Sequence, residues 1–165
     1  MEKDERTLRL IEIVEDLKKV FLEKGYPESI LFTFCSFTFT LDKLNFNFKL
    51  PLVVKEENKI YFVVDYKPAS AGLASFERGL LALARVLFHP LPFYSLLTNL
   101  EKFLLINNYT CETKNGGKNI IPFYEEIKTS IPSRFKQFNM DIEKKILALY
   151  LSGGCKDNVC ALGIH

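Results

Sequence analysis

From Leu44 to Leu50 apolar and polar residues alternate without a fault, Leu44, Phe46, Phe48 and Leu50 against Asn45, Asn47 and Lys49. Successive side chains of an extended chain point to opposite faces, so the pattern demands a strand with one buried face and one wet face. The strand continues through Leu52-Val53-Val54, turns at Glu56-Glu57-Asn58, and returns as the unbroken apolar run Ile60 to Val64 that ends at Asp65. A continuous run of this length is a strand covered on both faces, which places it at the centre of a sheet. Upstream, Leu31 to Thr40 is rich in Phe and Thr, but its alternation changes phase between Phe34 and Phe37. An inserted residue near Cys35-Ser36 would do this, so a bulged strand is predicted there, followed by a turn at Leu41-Asp42-Lys43.

Helical spacing frames these strands. Leu10, Val14, Leu17 and Phe21 recur at three and four residues within Asp4 to Lys24, and Gly25-Tyr26-Pro27 stops that helix. Ser75 is placed to cap a second, very apolar helix through Phe76, Leu80, Leu83 and Leu87, which Pro90 and Pro92 prevent from continuing. Phe93 to Leu97 and Lys102 to Ile106 read as strands around a Thr98-Asn99 turn, Lys114 to Lys118 as a turn, and Asp141 to Leu151 as a helix ended by Gly153-Gly154. Helix, three strands, helix, two strands implies an α/β (α+β) fold, a mixed central sheet flanked by helices. With 165 residues, 48% of them hydrophobic, and no linker or repeat, residues 1–165 are expected to form one domain, with a core over 4–107 and a helical extension over 120–165.

The balance of 22 basic and 20 acidic side chains is too even to argue for nucleic-acid binding by itself. No stretch approaches the roughly 20 apolar residues that cross a bilayer, and the charged start Met1-Glu2-Lys3-Asp4-Glu5-Arg6 has no apolar signal region, so a cytoplasmic protein without a membrane partner is expected. Cys35, Cys111, Cys155 and Cys160 form no paired C-x-x-C, and in that compartment no disulfide framework is expected. A four-thiolate metal site is the weaker reading of these cysteines, because Cys35 lies in a Phe-rich strand as a small buried residue.

The segment that can carry chemistry is Val63-Val64-Asp65-Tyr66-Lys67-Pro68. Two residues apart at the end of a strand, Asp65 and Lys67 project from the same face. A carboxylate there can bind Mg²⁺ through oxygen, and an ammonium beside it can orient a water or stabilise charge on an attacked phosphate. Alone, D-x-K more often marks a strand emerging into solvent with a charged pair.

The order of several phrases adds to this. Lys24-Gly25-Tyr26-Pro27 after a charged helix, Asp65-Tyr66-Lys67-Pro68 closing the third strand, then a helix and Leu97-Thr98-Asn99-Leu100-Glu101-Lys102-Phe103, follow one another over about two thirds of the chain. In this the chain resembles the PD-(D/E)xK nuclease-like N-terminal domain of type I restriction-enzyme R subunits and its small stand-alone relatives. The resemblance implies a restriction-endonuclease-like three-layer core and a divalent-metal-dependent DNA endonuclease site with Asp65 on Mg²⁺ and Lys67 assisting. It also implies a nucleic-acid-facing surface of Lys67, Thr98 and Asn99, with Arg78 and Arg85 the only basic candidates on the second helix. Three departures stand out: Pro51-Leu52 replaces the family's Pro-Asp, that helix lacks the usual Gln or Arg and Tyr one turn apart, and Leu100 replaces the glycine of Thr-Asn-Gly. Leucine offers no oxygen to a metal, so a substitute carboxylate would have to come from Glu5, Glu12 or Glu15 on the first helix.

Three readings follow. The first is a domain with a degenerate metal site, binding nucleic acid or serving a structural role in restriction or repair. The second is an active Mg²⁺-dependent endonuclease using Asp65, Lys67 and Glu12 or Glu15. The third is a protein-interaction module, a homodimer formed through the apolar second helix. Lys128, Arg134, Lys136, Lys144 and Lys145, interleaved with Phe135 and Phe138, could add a nucleic-acid-facing surface, although solvated charges beside core aromatics are the commoner arrangement. His89 before Pro90 reads as a helix-terminal group and not as a catalytic base.

Overall fold

The structure, a computed structural model, describes residues 4–68 and 72–153. Helix α1 (Glu5–Glu23) begins at Asp4, whose side chain accepts from the Arg6 amide, and ends at Gly25, which adopts φ +87 as a helix-terminating glycine does. Three strands follow, β1 (Leu31–Leu41), β2 (Leu44–Glu56) and β3 (Lys59–Tyr66), then α2 (Glu77–Leu87), β4 (Tyr94–Thr98), β5 (Phe103–Asn107), β6 (Thr113–Gly116), α3 (Tyr124–Ile127) and α4 (Met140–Gly153). All six strands form one sheet in sequence order, antiparallel except for β3 and β4, which run parallel because α2 carries the chain over between them. This is the expected mixed sheet flanked by helices, with β3 inside it.

Two apolar layers sandwich the sheet. On one face Ile13, Leu17 and Phe21 of α1, together with Ile127 of α3, pack on Leu52, Val54, Phe62, Val64 and Leu96. On the other, Leu80 and Leu83 of α2 with Leu147 and Leu151 of α4 pack on Leu50, Val53, Val63, Leu97 and Leu104. The alternation in β3 therefore sends Val64 and Tyr66 toward α1, and Val63 and Asp65 toward α2 and α4.

The predicted irregularity in β1 is present, but it needs no inserted residue. Thr33 pairs with Leu52 and Cys35 with Leu50, so the register is unbroken around Phe34, which takes φ +51 opposite Pro51. Both strands change phase together: Leu31 and Leu52 join the α1 layer, whereas Phe39 and Leu50 join the α2 layer. Proline cannot donate to the ladder, and the paired distortion accommodates it.

Several local expectations are corrected. Lys114 to Gly116 belong to a strand and not to a turn, because they hydrogen-bond along Phe103 to Leu105 of β5, and backbone pairing outweighs polar, glycine-containing composition at a sheet edge. Ser75 does not cap α2: its hydroxyl donates to the Gly72 carbonyl at 2.6 Å, and a 3-10 turn over Leu73–Phe76 leads into the helix. Thr98 is the last residue of β4 and not part of the turn. Most of the second helix, Gly79 to Arg85, is buried against the rest of the chain. Gly154, Cys155, Cys160 and His165 lie outside the described residues.

Candidate functional site

Asp65 lies in β3, held between β2 and the parallel β4, where it pairs with Leu97. Lys67 follows the strand, its amide donating to the Thr98 carbonyl at 3.0 Å. The two side chains share a face as predicted, with Lys67 Nζ 3.5 Å from Asp65 Oδ2. They do not emerge into solvent: Asp65 is 8% exposed and Lys67 only 4%.

Helix α4 closes the pair over. The Tyr150 hydroxyl donates to Asp65 Oδ2, and the Lys67 ammonium sits 4.6 Å from the Tyr150 ring centroid and 4.9 Å from that of Phe76. A buried ammonium thus has a carboxylate beside it and two aromatic faces over it, the environment that compensates a cation removed from water. Burial, and then the Asp65 charge, hold the Tyr150 phenol well above its ordinary range, so it remains a donor to the carboxylate.

Gly79 lets Tyr150 come this close. A Cβ at position 79 would lie 2.2 Å from Cδ2 of the Tyr150 ring and 2.8 Å from its Cβ, which is not the movable end of the side chain. In an ordinary helix interior Gly→Ala stabilises by roughly 0.5–1 kcal/mol. Here the sign reverses: Gly79→Ala is expected to destabilise by about 1–3 kcal/mol through overpacking, read as a lower urea midpoint. A midpoint at or above wild type would contradict this packing.

On the same helix, the basic candidates Arg78 and Arg85 are already engaged. Arg78 Nη1 donates to Glu143 Oε2 at 2.8 Å, its Nη2 donates to Oε1, and Arg85 Nη1 donates to the same Oε1 at 2.9 Å. Glu143, on the first turn of α4, is 2% exposed, and Arg85 also lies against the Phe138 ring. Burial pushes the Glu143 carboxyl up, but the Arg78 hydrogen bonds and the charges of both arginines outweigh it and hold it below its ordinary range. Arg78 and Arg85 therefore clamp α2 to α4. The sequence reading missed Glu143 and Tyr150 as members of these clusters.

The other predicted residues lie elsewhere. Glu12 and Glu15 are exposed on α1, which packs on the face of the sheet opposite to Asp65. Glu5 and Glu12 line an open cleft of about 850 Å³ that also holds Asp4, Asp16 and Glu101 against Arg6 and Arg9, a carboxylate-rich wall that repels phosphate. Asn99 borders this cleft, but its side-chain oxygen accepts from the Glu101 and Lys102 amides at 3.0 and 2.7 Å. Thr98 is fully buried, donating to the Lys102 carbonyl at 2.8 Å and accepting from the Leu100 amide. Both side chains brace the β4–β5 turn, Thr98 from the strand end and Asn99 from within, and Leu100 in that turn holds φ +79, a conformation that suits glycine.

Leu52 is also away from the pair. It pairs with Val64 and packs in the α1 layer, so a carboxylate at position 52 would enter that core instead of joining Asp65. Among the described residues no three His, Cys, Asp or Glu side chains gather to hold an ion. The one carboxylate at the strand end is occupied by an ammonium and a phenol, so the residues present do not match a Mg²⁺ site, which draws on several oxygen ligands.

The domain is thus a three-layer α/β unit with a closed Asp–Lys–Tyr cluster at the end of a central strand. Compared with known family models, with curated proteins and with solved structures, the chain matches none. No helix among the described residues is long and apolar enough to cross a membrane.

Proposed function

We propose that this chain is a restriction-endonuclease-like domain whose metal site has become a structural cluster, and that it serves a non-catalytic, structural role in a restriction or repair setting. The order helix, three strands, helix, strand, with an acid and a lysine at the end of the third strand, supports the kinship. Kinship of fold says little about chemistry, so the functional half rests on the site.

The observation that carries it is the occupation of Asp65. An active site would need the carboxylate open to a cation and the ammonium open to a phosphate. Here Tyr150 donates to the first, and Phe76 and Tyr150 roof the second. A structural role is favoured over nucleic-acid binding because Lys67, Arg85 and Thr98 are buried, and the Arg78 guanidinium and the Asn99 side-chain oxygen bond to groups of the chain itself. Arg134, Lys136 and Lys145 remain solvent-facing cations, but Phe138 beside them packs on Arg85.

The test is incubation of the full chain with supercoiled and single-stranded DNA plus Mg²⁺ or Mn²⁺, alongside Lys67→Ala. No cleavage above background is expected from wild type. Cleavage that disappears in Lys67→Ala would overturn the reading in favour of a metal-dependent endonuclease, and a salt-dependent DNA mobility shift would move it to nucleic-acid binding.

A further inference from the structure

The two edges of the sheet are built differently. Edge strand β6 is four residues long and carries Lys114, which are the usual devices against unwanted pairing. Edge strand β1 is eleven residues long, Leu-Phe-Thr-Phe-Cys-Ser-Phe-Thr-Phe-Thr-Leu, with no charge and no proline. A quarter of the chain is charged, and the neighbouring β2 carries Lys49, Lys55 and Glu56. Among the described residues β1 pairs with β2 alone, so its outer row of backbone donors and acceptors has no strand partner among them. Phe32 and Phe34 are 41% and 38% exposed along it.

Beyond the phase change at Phe34 the strand is regular and two-faced. Cys35, Phe37, Phe39 and Leu41 belong to the α2-side layer, while Thr38 and Thr40 point the other way and donate to Asn47 and Asn45 on β2. This stretch is complementary to itself. Antiparallel pairing of two copies about Thr38 sets Phe37 against Phe39, Cys35 against Leu41, Ser36 against Thr40, and Thr38 against Thr38. Apolar side chains then meet on one face and hydroxyls on the other, the cross-strand pairs that stabilise sheets. Phe37, which already stacks on Phe48 and meets Phe88 edge-on, would gain an aromatic neighbour across the axis.

We propose that β1 pairs with β1 of a second copy across a two-fold axis at Thr38, forming one continuous twelve-stranded sheet. The partner is a second copy because an uncharged strand finds in itself an equally uncharged edge with matching faces. The edge strand lies two positions from β3 and its Asp65 in the sheet, and the proposal stands independently of the function given above. A single pair of strands makes a small interface, below roughly 1,200 Å² in total, so the dimer is expected to be reversible.

Sedimentation velocity on the full chain, from micromolar to millimolar, tests it. Wild type is expected to pass from monomer to dimer. Thr38 is exposed and its hydroxyl donates to Asn47 Oδ1 on the surface of the sheet, so Thr38→Lys should fold with unchanged circular dichroism while its like charges meet on the axis and weaken association roughly 100-fold or more. Mixing Thr38→Lys with Thr38→Glu should restore a heterodimer. Wild type that stays monomeric throughout, or a dimer that Thr38→Lys leaves intact, would overturn the proposal.

Discussion

Replacing Glu143 with Ala is expected to destabilise the domain by about 3–5 kcal/mol, because it breaks a buried ion cluster by removing the only anion in it. Glu143 is 2% exposed and is the only carboxylate that ion-pairs with Arg78 or Arg85 among the described residues. Arg78 is 47% exposed at its side chain and can turn to water, but Arg85 is 8% exposed and cannot. Its Nε already lacks a hydrogen-bond partner within the described residues, so losing the Nη1 bond would leave a buried cation with only a long Nη2 bond to Cys111 Sγ and the Phe138 ring to compensate it. Urea unfolding of the purified variant reads the loss. If the two arginines were surface charges available to DNA, Glu143→Ala would change stability by less than about 1 kcal/mol.

Patterns that repeat locally were legible in the sequence. The alternation at 44–50 and the apolar run at 60–64 became β2 and β3, and the spacing of Leu17 and Phe21 became the buried face of α1. Period two placed Asp65 and Lys67 on one face, and they are 3.5 Å apart. What closes that face was not legible, because it arrives from far along the chain: Tyr150 lies 85 residues beyond Asp65, and Glu143 lies 65 beyond Arg78. A glutamate near the start of a lysine-bearing helix reads locally as solvated, and only packing of α4 against α2 buries it. The helix thought to be an extension after the core is part of the core, with Leu147 and Leu151 at 0% and 1% exposure. Gly79 carried a signal that could have been used: a glycine inside an otherwise strongly helical apolar segment points to close approach by another element.

The face that position 52 takes was not legible either. Pro51-Leu52 stands where the resembled family has Pro-Asp, but the paired distortion at Phe34 and Pro51 changes the phase of the strand just before Leu52. Leu52 consequently joins the α1 layer with Val64, and restoring an acid there would bury a carboxylate among aliphatic side chains instead of rebuilding a metal site.

Whether Asp65 and Lys67 hold the fold together or wait for a substrate is decided most directly by the sign of a stability change. Lys67→Met keeps an unbranched side chain of similar length, removes the charge, and leaves the Asp65 carboxylate 8% exposed with Tyr150 as its remaining partner. A structural lysine lost in this way leaves a buried charge poorly compensated, and the aromatic faces of Phe76 and Tyr150 lose their cation. A lysine kept for chemistry is held at a stability cost, and its removal commonly stabilises an enzyme. Equilibrium urea unfolding of Lys67→Met beside wild type is therefore expected to show a loss of about 3 kcal/mol. A variant as stable as wild type, or more stable, would contradict the structural account of the cluster.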